Sequence, residues 1–178
     1  MTVPATWAAT TQSRPVNPVH SMAIDATDAR LLTALQANSR LTSEQLSEIA
    51  FLSPTACLRR VARLRSEGVI EADVSIVSPK VVGRPLTMLV LVTLERERAE
   101  IIDRFKRSIR DAPEVMSGWY ITGEVDFALI VTAKSMEDYE SFTSRFFYEN
   151  PDIRSFKTLV VMDRVKAGFA LPIEPTED

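Results

Sequence analysis

Apolar positions in the first part of the chain recur at helical spacing. The spacing predicts one helix over 26–38, capped by Asp25, and a second over 43–50, opened by a capping box at Thr42 to Gln45. The predicted buried stripes of these two helices are Leu31, Leu32 and Leu35, then Leu46, Ile49 and Ala50.

A third helix follows the second after only two residues, so the two helices must cross sharply. Ser53 is placed to cap it, Pro54 suits its first turn and Gly68 marks its end. Its predicted inner stripe is Leu58, Val61 and Leu64, and the side chains predicted to face solvent are Arg59, Arg60 and Arg63. Three short helices with a tight second turn and a basic third helix are typical of a helix-turn-helix.

Alternation replaces helical spacing after Gly68. Apolar and polar residues alternate over 70–76, which predicts a half-buried strand where a winged helix has its wing. Turn residues at 78–79 and 83–85 then break the pattern. We therefore predict a winged helix-turn-helix domain over 24–77 and a linker over 78–85. The Thr-, Pro- and Ala-rich residues 1–23 are predicted to be a flexible extension.

The second half of the chain predicts an α+β domain with the element order β-α-β-β-α-β. The segments are 86–94, 97–111, 115–122, 125–133, 136–148 and 153–165, which together make a ferredoxin-like unit over 86–172, with a tail over 173–178. The first strand is apolar on both faces, although helices cover only one face of such a sheet. We expect the other face to meet a second protomer; a buried central strand is the alternative.

Composition narrows the classes of function. The chain has 178 residues and contains one Cys and one His, so no intrachain disulfide forms and a His-rich metal or catalytic site is disfavoured. No apolar run approaches the roughly 18 residues of a membrane helix. Residues 1–22 lack a basic start followed by an apolar core, so we expect no signal peptide. We expect a cytoplasmic protein without cofactor or metal, in which Cys57 is a packing residue.

Charge is unevenly distributed. The whole chain carries a net charge of −3, whereas residues 53–67 hold four Arg against one Glu, or +3. One helix face could therefore contact phosphates, although a solvated basic face is the alternative.

Motifs on these elements carry a family resemblance. They are Asp28-x-x-Leu31-Leu32-x-x-Leu35-Gln36, Arg40, Leu46, Leu52-Ser53-Pro54-Thr55-x-Cys57-Leu58-x-Arg60-Val61-x-x-Leu64, Glu67-Gly68-Val69-Ile70, Thr122-Gly123-x-x-Asp126-Phe127 and Val160-Val161-Met162. With them the chain resembles the Lrp/AsnC (feast/famine) family of transcriptional regulators over about 24–172. The family usually has Gly in the helix-turn-helix turn where this chain has Phe51, and a positive φ would cost Phe about 1–2 kcal/mol.

The resemblance implies a sequence-specific regulator that binds double-stranded DNA. Residues near the N-terminus of a recognition helix reach base edges, and in this chain they are Ser53, Thr55, Ala56 and Arg59. Arg59 is the candidate for a bidentate guanine contact. Arg60 and Arg63 are predicted to pair with phosphates, which fixes register without reading sequence.

The resemblance also implies that the second domain binds a small effector, usually an amino acid, at an interface between dimers. The effector-binding loop carried over consists of Thr122, Gly123, Glu124, Val125 and Asp126. Its acids could take an ammonium group and its backbone a carboxylate; a plain hairpin turn with solvated acids is the alternative. Dimers and larger assemblies, such as an octamer, are expected in the cytoplasm with the nucleoid.

Two other classes of function remain open from sequence. One is a ligand-sensing oligomer that has lost DNA binding, which the Phe51 departure and the modest basic charge would allow. The other is a small-molecule enzyme on the same architecture. The second is disfavoured because the only His, His20, lies in the predicted extension and no nucleophile–base pair, phosphate loop or metal spacing occurs.

Overall fold

The computed structural model describes residues 23–166 and 168–176. Most of the predicted extension over 1–23 lies outside the described residues. The described chain forms two compact units. One comprises residues 76–165; the other comprises residues 23–75 together with 166 and 168–176. None of the helices in the described ranges is long and apolar enough to cross a membrane.

The helical unit contains α1 (Ala26–Ala37), α2 (Ser43–Ala50) and α3 (Pro54–Ser66), as predicted. Each begins at a side-chain cap. Asp25 accepts hydrogen bonds from the backbone N–H groups of Thr27 and Asp28, and Thr42 and Gln45 form the reciprocal capping box. Ser53 accepts from the N–H of Ala56. These caps satisfy N–H groups that a helix leaves unpaired at its start, so local sequence fixes where each helix begins.

The core of the helical unit is small and aliphatic. Its buried members are Leu31, Leu46, Ala50, Cys57 and Val61. Cys57 is fully buried, in keeping with the packing role expected for it. The predicted inner position of Leu58 is wrong, because its side chain is 56% exposed. Residues 57, 61 and 64 share the inner face at spacings of four and three, and Leu58 falls about 100° away from Cys57.

The predicted wing strand over 70–76 is also wrong. The described chain has no strand there, and residues 71–78 are exposed. Two N–H groups, those of Val69 and Ile70, instead donate to the Leu64 carbonyl at the end of α3. Ile70 packs on the helical core, but no neighbouring segment offers the backbone partner that a strand requires.

The sheet unit has the predicted β-α-β-β-α-β order. Its elements are β1 (Leu86–Leu94), α4 (Ala99–Asp111), β2 (Val115–Tyr120), β3 (Phe127–Ala133), α5 (Met136–Thr143) with a π-helical turn at Ser144–Tyr148, and β4 (Ile153–Val160). The strands lie in the antiparallel order β2-β3-β1-β4. The second and fourth strands end earlier than predicted, at Tyr120 and Val160.

β1 shows why both of its faces are apolar. Met88, Val90, Val92 and Leu94 are buried in a core that includes Phe105 of α4 and Phe142 of α5. Leu89 and Leu91 lie on the opposite face, are only half-buried, and pair in register with Ile130 and Ala128 of β3. This second face therefore presents an apolar surface that the unit's own helices leave uncovered.

The C-terminal residues 168–176 belong to the helical unit. Residues 168–172, assigned from sequence to the second domain, group with the helical unit in the structure. The cause is a set of hydrogen bonds to α1 across more than 130 residues of sequence, which no local pattern reveals.

Candidate functional site

One exposed face of α3 gathers the predicted base-contacting residues. Thr55 and Arg59 are exposed on it together with Leu58 and Ala62, at spacings of three and four residues. Ser53 is exposed at the N-cap and Ala56 is half-buried. We call Thr55, Leu58, Arg59 and Ala62 the reading face; it lies opposite the buried stripe of α3.

Sequence reasoning missed Leu58 on this face because it assigned the side chain to the core. Helical spacing contains the signal that was missed. Cys57, one position before Leu58, lies at spacings of four and seven from Val61 and Leu64, and these three residues form the buried stripe. An exposed apolar side chain beside Arg59 is suited to contact the methyl group of a thymine. The reading face therefore combines a hydroxyl, a guanidinium and an apolar group.

The three candidate arginines have different environments. Arg59 is exposed, and within the described part of the chain it forms no hydrogen bond or ion pair. Arg60 and Arg63 are instead joined to carboxylates of α1 and its cap. Arg60 Nη1 lies 2.5 Å from Asp25 Oδ2 and 2.9 Å from Asp28 Oδ1. Arg63 Nη2 lies 2.5 Å from Asp28 Oδ2. The structure thus separates one unpaired arginine from two that link α3 to α1.

Asp28 is the centre of this link. Its side chain is 1% exposed, and both of its oxygens accept from guanidinium groups. A buried carboxylate without such partners would be strongly destabilising. We call Asp25, Asp28, Arg60 and Arg63 the carboxylate–arginine bridge.

Protonation equilibria agree with the geometry of the bridge. Burial acts to raise the pKa of Asp25, but the Asp28 N–H and the Arg60 guanidinium outweigh it and hold the pKa below its usual value. The hydrogen bonds to Asp25 and Asp28 raise the pKa of Arg60. Both shifts favour the charged forms of Asp25 and Arg60, so part of the basic charge of α3 is neutralised within the unit.

The turn before α3 contains Phe51 in a conformation that Gly usually adopts. Phe51 adopts the left-handed conformation, with φ 57° and ψ 43°, and its ring is 81% exposed. The Leu52 N–H and the Phe51 N–H both donate to the Ser47 carbonyl, and the Arg30 guanidinium lies 5.6 Å from the Phe51 ring centroid. The chain therefore keeps the turn conformation that Gly favours, at a steric cost to Phe.

The predicted effector loop connects β2 to β3 in the sheet unit. Thr122, Gly123 and Glu124 are exposed, and Val125 and Asp126 are half-buried. Gly123 has φ 133°, which restricts that position to Gly.

Asp126 has a structural role at the base of this loop. Its Oδ2 accepts from the Leu94 N–H at 2.7 Å, and its own N–H donates to Val92 O at 2.9 Å. Glu124, in contrast, forms no hydrogen bond or ion pair within the described residues. The loop therefore holds one anchored carboxylate and one that is exposed to solvent.

No group of three or more His, Cys, Asp or Glu residues in the described ranges could hold a metal ion. His20 lies outside the described residues.

Comparisons with known proteins cover both units. Residues 87–171 match the family model described as the Lrp/AsnC ligand binding domain, and residues 24–71 match a model of a winged helix-turn-helix that binds DNA. An uncharacterized HTH-type transcriptional regulator of Sinorhizobium fredii is 68% identical over 87% of this chain and 92% of its own length. The leucine-responsive regulatory protein of Haemophilus influenzae is 31% identical over 81% of this chain and 87% of its own length.

Solved structures agree with this pattern. A transcriptional regulator of Neisseria meningitidis, in complex with L-Met, superposes with a TM-score of 0.78 at 31% identity, over 83% of this chain and 96% of that one. An AsnC family regulator of Agrobacterium tumefaciens gives a TM-score of 0.77 at 28% identity, over 83% and 96% of the two chains. These matches point to a transcription regulator rather than an enzyme.

Proposed function

The chain belongs to the Lrp/AsnC family of transcriptional regulators, and on that premise we propose that it selects its DNA sites with the reading face of α3. One observation carries the proposal. Within the described residues, Arg59 forms no hydrogen bond or ion pair, and it is exposed on a face that also bears Thr55 and Leu58. A free guanidinium near the start of a recognition helix suits bidentate contact with guanine O6 and N7.

The other sequence-predicted residues take supporting roles in this proposal. Ser53, Thr55 and Ala56 stand at the end of α3 that enters the groove, where their small side chains allow close approach to base edges. Arg60 and Arg63 use only some of their five donors on Asp25 and Asp28. Apart from Arg63 Nε, which lies 3.8 Å from Glu67 Oε2, their remaining N–H groups are available for phosphates, and the bridge holds them in register.

We further propose that the sheet unit senses an amino acid through the loop Thr122–Asp126. Glu124 is the group of choice for the ligand ammonium because Asp126 is already engaged by the Leu94 N–H. Gly123 leaves the backbone open, with no atom within 4 Å of the position where a Cβ would stand. The L-Met complex of the Neisseria relative supports an amino acid as the class of ligand.

The uncovered sheet face supports the proposal that the protein self-associates. Leu89, Leu91, Ala128, Ile130 and Leu159 occupy register positions on that face. Covering it with the same face of a second copy would bury these side chains in a symmetric dimer. Dimers would then join into a larger assembly, with the octamer as our specific proposal, and act on DNA in the cytoplasm at the nucleoid.

Ligand binding would regulate such an assembly by shifting its population between arrangements that space the reading faces differently. This requires that the amino acid bind one arrangement more tightly than the other.

Fluorescence anisotropy with the duplex upstream of the protein's own gene tests the proposal, with a scrambled duplex as control. We expect a salt-sensitive preference for the native duplex, because phosphate contacts release counterions, and a change of affinity when an amino-acid mixture containing L-Met and L-Leu is added. Arg59→Ala should cost about 1–3 kcal/mol on the native duplex and much less on the scrambled one.

Arg65→Ala is the matched control, because Arg65 lies on the same helix but is paired with Asp73 at 3.0 Å. It should leave the preference between duplexes unchanged. If Arg59→Ala reduced affinity for both duplexes equally, the result would show that Arg59 does not read bases. Binding that shows no preference at either salt concentration would favour a sensing oligomer that does not bind DNA specifically.

A further inference from the structure

The outer face of α1 carries a groove that is not part of either site described above. Ala26, Ala29, Thr33 and Ala37 lie along it at spacings of three and four, together with Ile49 of α2. The small side chains keep the groove shallow and let another backbone approach the helix closely. Ile173 and Pro175 of the C-terminal tail line the same groove.

Hydrogen bonds hold the tail, residues 168–176, at both ends of α1. At the C-terminal end, the Gln36 side chain pairs with one residue in both directions: Nε2 donates to Leu171 O at 3.0 Å, and Oε1 accepts from Leu171 N at 2.7 Å. At the N-terminal end, Thr176 N donates to Ile24 O at 2.9 Å, and Ile24 N donates to Thr176 Oγ1 at 2.8 Å. The tail thus spans α1 with four hydrogen bonds, two at each end.

Between the two ends of α1, one side chain of the tail is half-buried. Ile173 is half-buried and lines the groove, whereas Leu171 is 72% exposed although its backbone is bonded to Gln36. Pro172 and Pro175 restrict the backbone of the tail, which lowers the entropy lost when it is seated. The tail therefore has the properties of a bound peptide: backbone pairing, a seated apolar side chain and limited flexibility.

The residues that hold the tail are next to those that position α3. Ile24 immediately precedes Asp25, and Asp25 and Asp28 join α1 to Arg60 and Arg63. A displacement of α1 would therefore disturb the carboxylate–arginine bridge and, through it, the reading face.

We propose that the outer groove of α1 is a peptide-binding site whose occupant is the tail of the same chain, and that the seated tail positions the DNA-reading helix. The DNA part of this inference rests on the proposed function, whereas the seating of the tail does not. Loss of the tail should weaken DNA binding although no tail residue needs to contact DNA.

Backbone hydrogen exchange on the full-length protein without DNA tests the seating. We expect the amides of Leu171 and Thr176 to exchange more slowly than that of Glu174, whose N–H has no partner within the described structure. Gln36→Ala should accelerate exchange at Leu171 about five- to tenfold, the value of one net hydrogen bond. Glu174→Ala, an exposed control in the same tail, should leave Leu171 unchanged. Equal exchange at all three amides in the unmodified protein would overturn the proposal.

Cross-linking identifies whose tail occupies the groove. Thr33 and Ile173 both line it, and Glu174 follows Ile173, so a Thr33→Cys/Glu174→Cys double variant that keeps Ile173 should react with a short bis-maleimide. We expect an intrachain link, detected by mass spectrometry as a cross-linked peptide in the band that runs as a monomer on a denaturing gel. A dimer band that depends on both new cysteines would show a tail from a second copy and overturn the assignment. Native Cys57 is fully buried and serves as the background in a variant without the new cysteines.

DNA titration tests the coupling to α3. Ile173→Ser should reduce affinity for the preferred duplex about three- to tenfold, and Phe169→Ser, at a tail residue that is 75% exposed, should not. Faster exchange at Leu171 in Ile173→Ser without any loss of DNA affinity would overturn the positioning role. If the unmodified protein fails to bind any duplex, the proposed function fails, while the exchange and cross-linking results still decide the seating of the tail.

Discussion

The two units differ in the side chains that form their cores. In the sheet unit, four phenylalanines are at most 2% exposed, and their rings contact one another, with centroids 4.9 Å apart for Phe105 and Phe127. In residues 23–75 the only aromatic residue is Phe51, and it is exposed. The helical unit instead packs a few aliphatic side chains and closes one side with the carboxylate–arginine bridge. The helical unit thus uses polar links where the sheet unit relies on apolar packing.

This contrast has a functional consequence. Ion pairs are screened by salt and respond to the charges of a bound polyanion, whereas apolar packing carries no charge to be screened. Arg60 and Arg63 belong both to the bridge and to the face expected near phosphates. Binding to DNA should therefore act on the contacts that stabilise the helical unit and leave the sheet core unaffected.

The largest expected effect comes from the aromatic core. Phe105→Ala removes a ring that is 1% exposed and should lower the free energy of unfolding of the sheet unit by about 3–5 kcal/mol, because it leaves a cavity among packed rings. Urea unfolding followed by hydrogen exchange of β1 and β3 amides measures the loss. Phe105→Leu, which retains most of the volume, should cost about 1.5 kcal/mol or less. A similar loss at α1 and α3 amides would show that the two units unfold together and that the comparison fails.

The second-largest expected loss of stability comes from the carboxylate–arginine bridge. Asp28→Asn keeps the shape of the side chain but removes the charge between Arg60 and Arg63. We expect it to destabilise the helical unit by about 2 kcal/mol, within the range for hydrogen bonds to charged groups, since the arginines remain partly exposed and water compensates for part of the loss. Hydrogen exchange of α1 and α3 amides in urea measures this change.

Asp73→Asn is the matched control for the bridge. Its partner Arg65 and Asp73 itself are each 46% exposed, so this pair should contribute about 0–1 kcal/mol. If both substitutions have the same small effect, the helical unit does not depend on Asp28 and its stability rests on the aliphatic core alone.

Local sequence determined the elements that local contacts stabilise. α2 occupies the predicted residues because its capping box and its apolar spacing both lie within the segment. β1 is likewise as predicted, because its apolar run and the turn residues that precede it are local. The prediction of a wing strand was wrong because a strand needs a neighbouring segment as its backbone hydrogen-bonding partner, and alternation over 70–76 does not supply one.

The site was less predictable for the same reason. The position of Arg59 on an exposed face follows from helical spacing alone. The pairing of Arg60 and Arg63 depends on Asp25 and Asp28, more than 30 residues away, and the seating of the tail on α1 spans still longer separations. In each case the interaction is set by tertiary structure, which spacing along the chain does not encode.

The smallest expected effect tests the turn that joins α2 to α3. Phe51→Gly removes the steric conflict of a side chain at φ 57° and should stabilise the helical unit by about 1 kcal/mol, after the greater entropy of Gly in the unfolded chain is taken into account. The loss of the contact between Arg30 and the ring reduces this gain only slightly, because the ring is 81% exposed. Urea midpoints from exchange of α2 and α3 amides measure the difference.

Phe51→Ala separates the steric cost of the Cβ from the contribution of the ring contact with Arg30. It removes the ring but keeps the Cβ that conflicts with the left-handed conformation, so it should not share the gain of Phe51→Gly. If both variants were equally destabilised, the contact with Arg30 would outweigh the strain, and Phe51 would be a stabilising residue of the helical unit. If only Phe51→Gly is stabilised, the chain tolerates a strained turn in the smaller of its two units. An exposed ring would then stand beside the start of the reading helix at a measurable cost in stability, which is the pattern expected where a residue is retained for contact with DNA rather than for folding.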